Sequence, residues 1–239
     1  MTSVRYTANH RSRVDFRFPG TAQPERSERL RRALNVSVAV LGLVLATPLM
    51  AAIALLIKLT SRGPVLYTQT RVGLDRRSRG APAGNTRRRN DYGGRPFKIH
   101  KFRTMAANDG PLEGAEVWAA PDDPRVTRLG RILRLYRLDE LPQLVNVLQG
   151  DMNVVGPRPE QPTIFARLRQ QIECYQERQR VRPGITGWAQ INHHYDCSID
   201  DVRKKVAYDL EYVARQSVLE DLKIMLRTVP VMVSKDGAW

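Results

Sequence analysis

Two cysteines stand in 239 residues, Cys174 and Cys197, and they form neither a CxxC pair nor a disulfide framework. That excludes a cystine-stapled secreted scaffold and fits a reducing compartment. The common catalytic signatures are missing too: there is no Walker A phosphate loop, no GxGxxG, no GxSxG and no HExxH. His193 and His194 are adjacent and lack metal-ligand spacing. No internal repeat is evident. Acid is the scarce charge, with 24 Asp and Glu against 39 Lys and Arg and a formal charge of +15. The natural partners are therefore anionic: nucleic acid, phospholipid headgroups or phosphorylated small molecules. The length suits one catalytic-size unit.

What is present begins with an apolar run. From Val36 to Ile57 the chain reads VSVAVLGLVLATPLMAAIALLI, 22 residues without a charge. As a straight helix this measures about 33 Å, enough to span a bilayer. It is too apolar on every face for a core helix and too long for a signal peptide. Pro48 lies near its middle, where it removes a backbone donor and clashes with the carbonyl of Val44. A kink there leaves arms of about 18 Å and about 15 Å, neither long enough to cross. Arg26, Arg29, Arg31 and Arg32 precede the run, and Lys58, Arg62 and Arg71 follow it. The positive-inside tendency then favours both ends on the cytoplasmic face. Thr47 can hydrogen-bond a freed carbonyl of the preceding turn. Physics alone leaves a re-entrant hairpin and a kinked span open.

Residues 1 to 24 read as a polar, irregular leader. GPVLYTQTRVG and RPFKIHKFRTM read as two short strands of a hairpin. Between them, Asp75 to Gly94 is Gly- and Arg-rich and reads as a disordered basic insertion. Helices dominate thereafter. Ile164, Leu168, Ile172 and Tyr175 mark one amphipathic run, and Val202, Val206, Leu210 and Val213 another. Ser217 and Glu220 have capping-box spacing. The arginine-rich polar faces allow one or two helices to lie in a membrane interface.

The most informative stretch is LRLYRLDELPQLVNVLQGD, Leu133 to Asp151. Leu141, Leu144, Val145 and Leu148 recur at helical spacing, which predicts a helix from near Asp139, with Pro142 in its first turn and Gly150 past its end. Capping accounts for Asp139 and leaves Glu140 unexplained. Arg131, Arg134 and Arg137 precede the pair, and Arg158 follows in GPRPEQP, held between two prolines. Arginines around a helix N-terminus make a phosphate site. Two carboxylates there can hold a divalent metal, act as a nucleophile, or divide those roles. Further on, RVRPGITGWAQIN places Arg182 beside a Pro-Gly turn and Trp188, as a ligand-lining loop would.

An apolar segment broken by proline, then SRGPVLYTQTRVG, PFKIHKFRTM, DPRVTRLGRILR, LDELPQLVNVLQGDMNVVGPRP and RPGITGWAQIN, in that order, resemble the bacterial sugar transferases. These are the monotopic polyprenyl-phosphate phosphoglycosyl transferases, here in compact form, and the match runs from about Arg31 to the C-terminus. The resemblance implies an α+β, mainly helical fold. It divides the chain into a flexible leader at 1–30, a re-entrant membrane helix-break-helix at 31–60 and a cytoplasmic catalytic domain at 61–239. That domain would carry a small β-hairpin and interfacial amphipathic helices. Its place is the cytoplasmic face of the bacterial inner membrane.

The implied reaction moves a sugar 1-phosphate from a UDP-sugar to undecaprenyl phosphate, releases UMP, and initiates an exopolysaccharide or similar surface glycan. Downstream glycosyltransferases would be its partners, and no nucleic acid. The resemblance makes Asp139 the nucleophile and Glu140 a ligand of Mg²⁺, with Asp139 as its second carboxylate. It places phosphate binding on Arg134 and Arg158, and Arg182, Lys101 and Arg103 join them as substrate-binding candidates. Thr47-Pro48 stands where the family usually has Ser-Pro at the membrane break, and Asn35 replaces a frequent aspartate. Tyr136 and Arg137 replace small polar residues before the dyad. The competing class is a membrane-anchored scaffold that binds anionic lipid.

Overall fold

A computed structural model of the chain describes residues 2–9, 12–18, 25–75, 91–106, 123–193 and 198–234. The interior of the basic insertion, residues 76–90, lies outside that set, as do His194 and Cys197. The folded part reaches further into the insertion than expected. Asp75 is buried and its N–H donates to the Gln179 carbonyl at 2.8 Å. Asp91 accepts from Arg169 at 3.2 Å.

The leader is not irregular. Strands β1 (Thr2–Asn9) and β2 (Ser12–Phe18) pair antiparallel, with Val4 opposite Phe16 and Tyr6 opposite Val14. Val14, Phe16 and Phe18 alternate with charged residues in the sequence. That period-two signal outweighs the polar composition.

Helix α1 (Glu25–Thr60) runs 36 residues without interruption, Pro48 included. It spans about 54 Å. The helix-break-helix expectation therefore meets no gap in the helix at Thr47-Pro48. The Thr47 hydroxyl does bond back into the preceding turn, to the Leu43 carbonyl at 2.6 Å rather than to the Val44 carbonyl that Pro48 frees. The outward face of α1 is bare apolar surface: Leu41, Val44, Leu45, Leu55 and Leu59 are all exposed. Only 11% of its most apolar stretch is buried, whereas the core helix of a soluble protein is mostly buried. Its length and composition are those of a membrane helix.

The inward face of α1 lies along the rest of the chain at both ends. Near its start, Arg31 donates to Asp221 at 3.0 Å and to Tyr212 at 2.9 Å. Asn35 keeps the place of the expected acid as a neutral clamp: its amide donates to the Arg31 carbonyl and accepts from Val154 N–H at 2.6 Å. Ala39 joins the main core. Near its end, Ile53 and Ile57 pack with Phe102 and Leu133 in a second cluster.

The hairpin forms as expected, β3 (Leu66–Val72) antiparallel to β4 (Pro96–Phe102), with Tyr67 opposite Lys101 and Arg71 opposite Phe97. After it come α2 (Arg128–Leu135), a 3-10 turn at Leu138–Glu140 and α3 (Gln143–Gln149). Gly150, at φ 81°, ends α3 in the left-handed conformation that favours glycine. Strand β5 (Asn153–Val155), α4 (Pro162–Gln171) and β6 (Gly184–Thr186) follow, β5 and β6 pairing in parallel. The pair went unread because three residues carry no period. Helices α5 (Trp188–Asn192), α6 (Ile199–Arg215) and α7 (Val218–Ser234) complete the chain. Val202, Val206, Leu210 and Val213 face the core, as their spacing predicts. Ser217 caps α7 by accepting from Glu220 N–H at 3.1 Å. The architecture is α+β and mainly helical, with small sheets.

The Arg31–Asp221 contact joins α1 to α7 with both side chains almost fully buried. Replacing Asp221 with Ala should leave the guanidinium buried beside an empty site and cost about 3 to 5 kcal/mol. Thermal unfolding in detergent checks this, with Lys223→Ala on the exposed face of α7 as a control that stays within about 0.5 kcal/mol.

Candidate active site

Asp139 and Glu140 sit in the 3-10 turn between α2 and α3, 7% and 6% exposed. The turn follows Arg137, whose φ of 54° is left-handed and reverses the chain after α2. That conformation costs a non-glycine residue about 1 kcal/mol, strain of a kind that collects at functional sites. Helix α3 begins four residues later than predicted and is preceded by Pro142 with no side-chain cap. Asp139 therefore does not cap it, and the ordinary structural reason for an acid at this point falls away.

Three segments surround the pair. Lys101 of β4 donates to Glu140 Oε1 at 2.7 Å, and Arg158 donates to the same oxygen at 2.8 Å. Strand β4 is held in place by Asn146 of α3, which is fully buried. Its amide donates to the Lys98 carbonyl at 2.8 Å and accepts from His100 N–H at 3.1 Å, pairing with the strand edge as another strand would. Arg158 is aimed by its backbone. The Pro157 carbonyl accepts from Gly184 N–H at 3.0 Å, and the Arg158 carbonyl from Arg178 at 3.2 Å. Arg178 is itself locked to Asp209 at 2.7 Å and to the Tyr175 hydroxyl at 2.7 Å.

Arg134 comes from α2. Gly130 lets that helix touch the backbone at Thr104, where an added Cβ would meet the Thr104 carbonyl oxygen at 2.0 Å. Arg134 then donates to the Thr104 hydroxyl at 2.9 Å, with Asp139 its strongest charged influence.

The two carboxyls are pushed apart in acidity. Burial raises Asp139, with Glu140 adding to the rise, against the pull of Lys101, Arg158 and Arg134. Burial would raise Glu140 too, but Arg158 and Lys101 outweigh it and hold that carboxyl well below the usual range. Burial lowers Lys101 despite Glu140. Asp139 accepts no hydrogen bond from any described side chain, and the bonds to Glu140 leave its Oε2 free of described donors. The result is one neutralised, fixed carboxylate beside one desolvated, unbonded carboxylate, ringed by cations. That arrangement suits nucleophilic attack on a phosphoryl group. No group of three or more metal-ligating side chains occurs among the described residues. Two carboxylates with open oxygens still match Mg²⁺ shared with substrate phosphates, the usual pattern for that ion.

The structure brings Lys101, Arg134 and Arg158 to the dyad and places two other candidates elsewhere. Arg103 donates to the Arg62 and Ser61 carbonyls at 2.6 and 2.9 Å, capping the C-terminal end of α1. Arg182 donates to the Gly150 carbonyl at 3.0 Å, at the far end of α3 from Glu140. That helix is about 10 Å long. Trp188 donates to Glu211 at 2.8 Å and carries the Arg215 and Arg227 guanidiniums 5.4 Å from its ring centroid. Sequence reasoning missed Asn146. Its signal was one fully polar residue inside an apolar helical run.

A family profile described as bacterial sugar transferase matches residues 26–235. The chain is 42% identical over 224 residues to a UDP-glucose:undecaprenyl-phosphate glucose-1-phosphate transferase of Caulobacter vibrioides, covering 92% of this chain and 76% of that protein. It is 41% identical to a UDP-N-acetylgalactosamine-undecaprenyl-phosphate N-acetylgalactosaminephosphotransferase of Aeromonas hydrophila, over 87% of this chain and 45% of the relative. It is 34% identical to the exopolysaccharide production protein ExoY of Sinorhizobium fredii, covering 87% of this chain and 88% of that one. The chain spans less than half the length of the Aeromonas protein and of other long relatives that it matches.

The asymmetry of the dyad makes a stability prediction. Glu140, with its lowered pKa, contributes stability present at neutral pH and lost as pH falls through its folded value. Asp139, with its raised pKa, opposes folding while ionised. Glu140→Gln should cost about 3 kcal/mol by stranding Lys101 and Arg158, whereas Asp139→Asn should leave stability unchanged or raised. Thermal midpoints of the two variants at pH 7 check the contrast.

Proposed function

The chain belongs to the bacterial sugar transferase family, and on that premise we propose that it transfers a sugar 1-phosphate from a UDP-sugar to undecaprenyl phosphate. The observation that carries this reading is the buried Asp139 carboxylate, free of hydrogen bonds from the described residues, beside a Glu140 fixed by Lys101 and Arg158. Asp139 attacks the β-phosphorus of the UDP-sugar. A carboxylate oxygen–phosphorus bond forms, the bond from that phosphorus to the bridging oxygen breaks, and UMP leaves. An oxygen of undecaprenyl phosphate then attacks the same phosphorus and breaks its bond to Asp139. The products are undecaprenyl-diphosphate-sugar and the regenerated carboxylate. Such enzymes begin surface polymers such as exopolysaccharide.

Desolvation makes Asp139 a stronger base and so a better nucleophile. Arg134, Lys101 and Arg158 stabilise charge on the transferring group. Glu140, with Asp139, would hold Mg²⁺, which when bound neutralises charge on the diphosphate.

Membrane attachment is part of the proposal. Both ends of α1 touch the same domain, Arg31 at Asp221 and Ile57 beside Phe102 and Leu133. A helix crossing the bilayer would carry its far end away from a domain on the cytoplasmic side. A re-entrant path bent near Pro48, with both ends on the cytoplasmic face of the inner membrane, keeps these contacts. The exposed apolar face of α1 then lies in lipid.

Purified protein with Mg²⁺ and undecaprenyl phosphate should release UMP from one member of a panel of UDP-glucose, UDP-galactose and their N-acetylamino counterparts. Folded protein that releases UMP from none of them sinks the proposal. Asp139→Asn should lower kcat/KM by about 10³-fold or more. The acid limb of the pH profile should fall above the ordinary aspartate range, because Asp139 must be ionised and its pKa is raised. For topology, cysteines replacing Arg26 and Arg62 should both be labelled from the cytoplasmic side, and labelling from opposite sides would establish a true span.

A further inference from the structure

Arg71, on β3, has no part in the dyad's bonds and yet stands beside them. It shares one face of the hairpin with Tyr67 and Gln69, by strand alternation, and Tyr67 is paired across the strands with Lys101. Its guanidinium donates to the Pro159 carbonyl at 3.2 Å and to Gln69 Oε1 at 2.6 Å. Its Nε is buried with no partner. No carboxylate of the described residues pairs with it. The acids that influence it most, Glu160 and then Glu140, are already occupied, Glu160 by Lys205 at 3.3 Å and Glu140 by Lys101 and Arg158. Burial lowers its pKa, but a guanidinium stays charged. A desolvated cation held by neutral acceptors, next to Arg158, costs free energy unless an anion arrives from outside.

Its place in the cluster says which anion. The order along the contacts is Asp139, then Glu140, then Arg158, then the Pro159 carbonyl and Arg71. Lys101, Arg158 and Arg134 are among the strongest influences on Asp139, whereas Arg71 stands beside Arg158 and Glu160 and is joined to the dyad only through the Arg158 segment. A diphosphate substrate puts one phosphorus at the nucleophile and the second beyond it.

We propose that Arg71 binds the phosphate that stays on the nucleoside, while Arg134, Lys101 and Arg158 face the phosphoryl group that is transferred. This rests on the transferase reading above. It assigns Arg71 to retention of the nucleotide, and leaves the lipid phosphate to other groups.

The test measures UMP binding by calorimetry to the full chain in detergent, for wild type, Arg71→Gln and Arg71→Lys. Glutamine should weaken UMP about tenfold or more, and lysine several-fold, because it keeps the charge and loses the planar fork. KM for the UDP-sugar should rise in step, with KM for undecaprenyl phosphate within about twofold of wild type. Unchanged UMP affinity in Arg71→Gln, or a rise confined to the KM for the lipid phosphate, overturns the proposal. If Arg71→Gln melts well below wild type, the lysine variant alone decides, and an unchanged affinity there overturns it as well. Binding needs no turnover, so the two readings fail separately. Arg71-dependent UMP binding without any product would sink the transferase reading and leave this site standing, whereas a wild type that binds no UMP removes the site.

Discussion

One carboxylate oxygen organises the centre of this protein. Glu140 Oε1 receives both Lys101 and Arg158, and through them it ties the hairpin and the Pro-rich loop to the turn that carries Asp139. A buried carboxylate with one cation is a structural ion pair. With two, the adjacent Asp139 carboxylate balances the second cation, and Arg134 and Arg71 leave positive charge over. Positive charge left over in a desolvated place is costly, and an incoming anion would offset it. The same desolvation that would make an isolated charge expensive is what raises the basicity of Asp139.

The supports behind these side chains are themselves buried polar contacts. Asn146 holds β4, Arg178 holds the Arg158 backbone, and Gly130 lets α2 close on Thr104. Each fixes a residue that reaches the site without reaching the site itself. Such networks are costly when half satisfied, and here the Asn146 amide and all three Arg178 nitrogens have acceptors. Helix α1 is joined to the same body by similar means: Arg31, Asn35 and Arg103 bond it at its two ends, and Arg32 donates to the last carbonyls of α3 at 2.6 and 2.8 Å. These bonds tie α1 to α3, the helix that follows the dyad.

Much of this was legible in the chain and some was not. The apolar run followed from its length and lack of charge, and the hairpin and the amphipathic face of α6 from periods of 2 and 3.6, all of which sequence displays directly. The N-terminal hairpin was masked by polar composition, and β5 and β6 by their brevity. Arg103 and Arg182 lie in motifs beside the site's own residues, and that proximity in sequence is what makes them candidates. In the fold their guanidiniums bind backbone carbonyls, at the end of α1 and at the end of α3. Arginine serves helix termini as readily as phosphates, and a motif does not say which.

The sequence by itself determined the basic charge, the uncharged 22-residue run and the adjacency of Asp139 and Glu140. These are properties of composition and local order, and they set the class of partner to expect and the place of the candidate site. Only the tertiary structure decided that Glu140 is the neutralised acid and Asp139 the free one. Lys101 lies 39 positions from Glu140 and Arg158 lies 18, on the other side, so no local pattern relates them. Acidity depends on burial and on charges within a few ångströms, and both are set by which segments the core brings together.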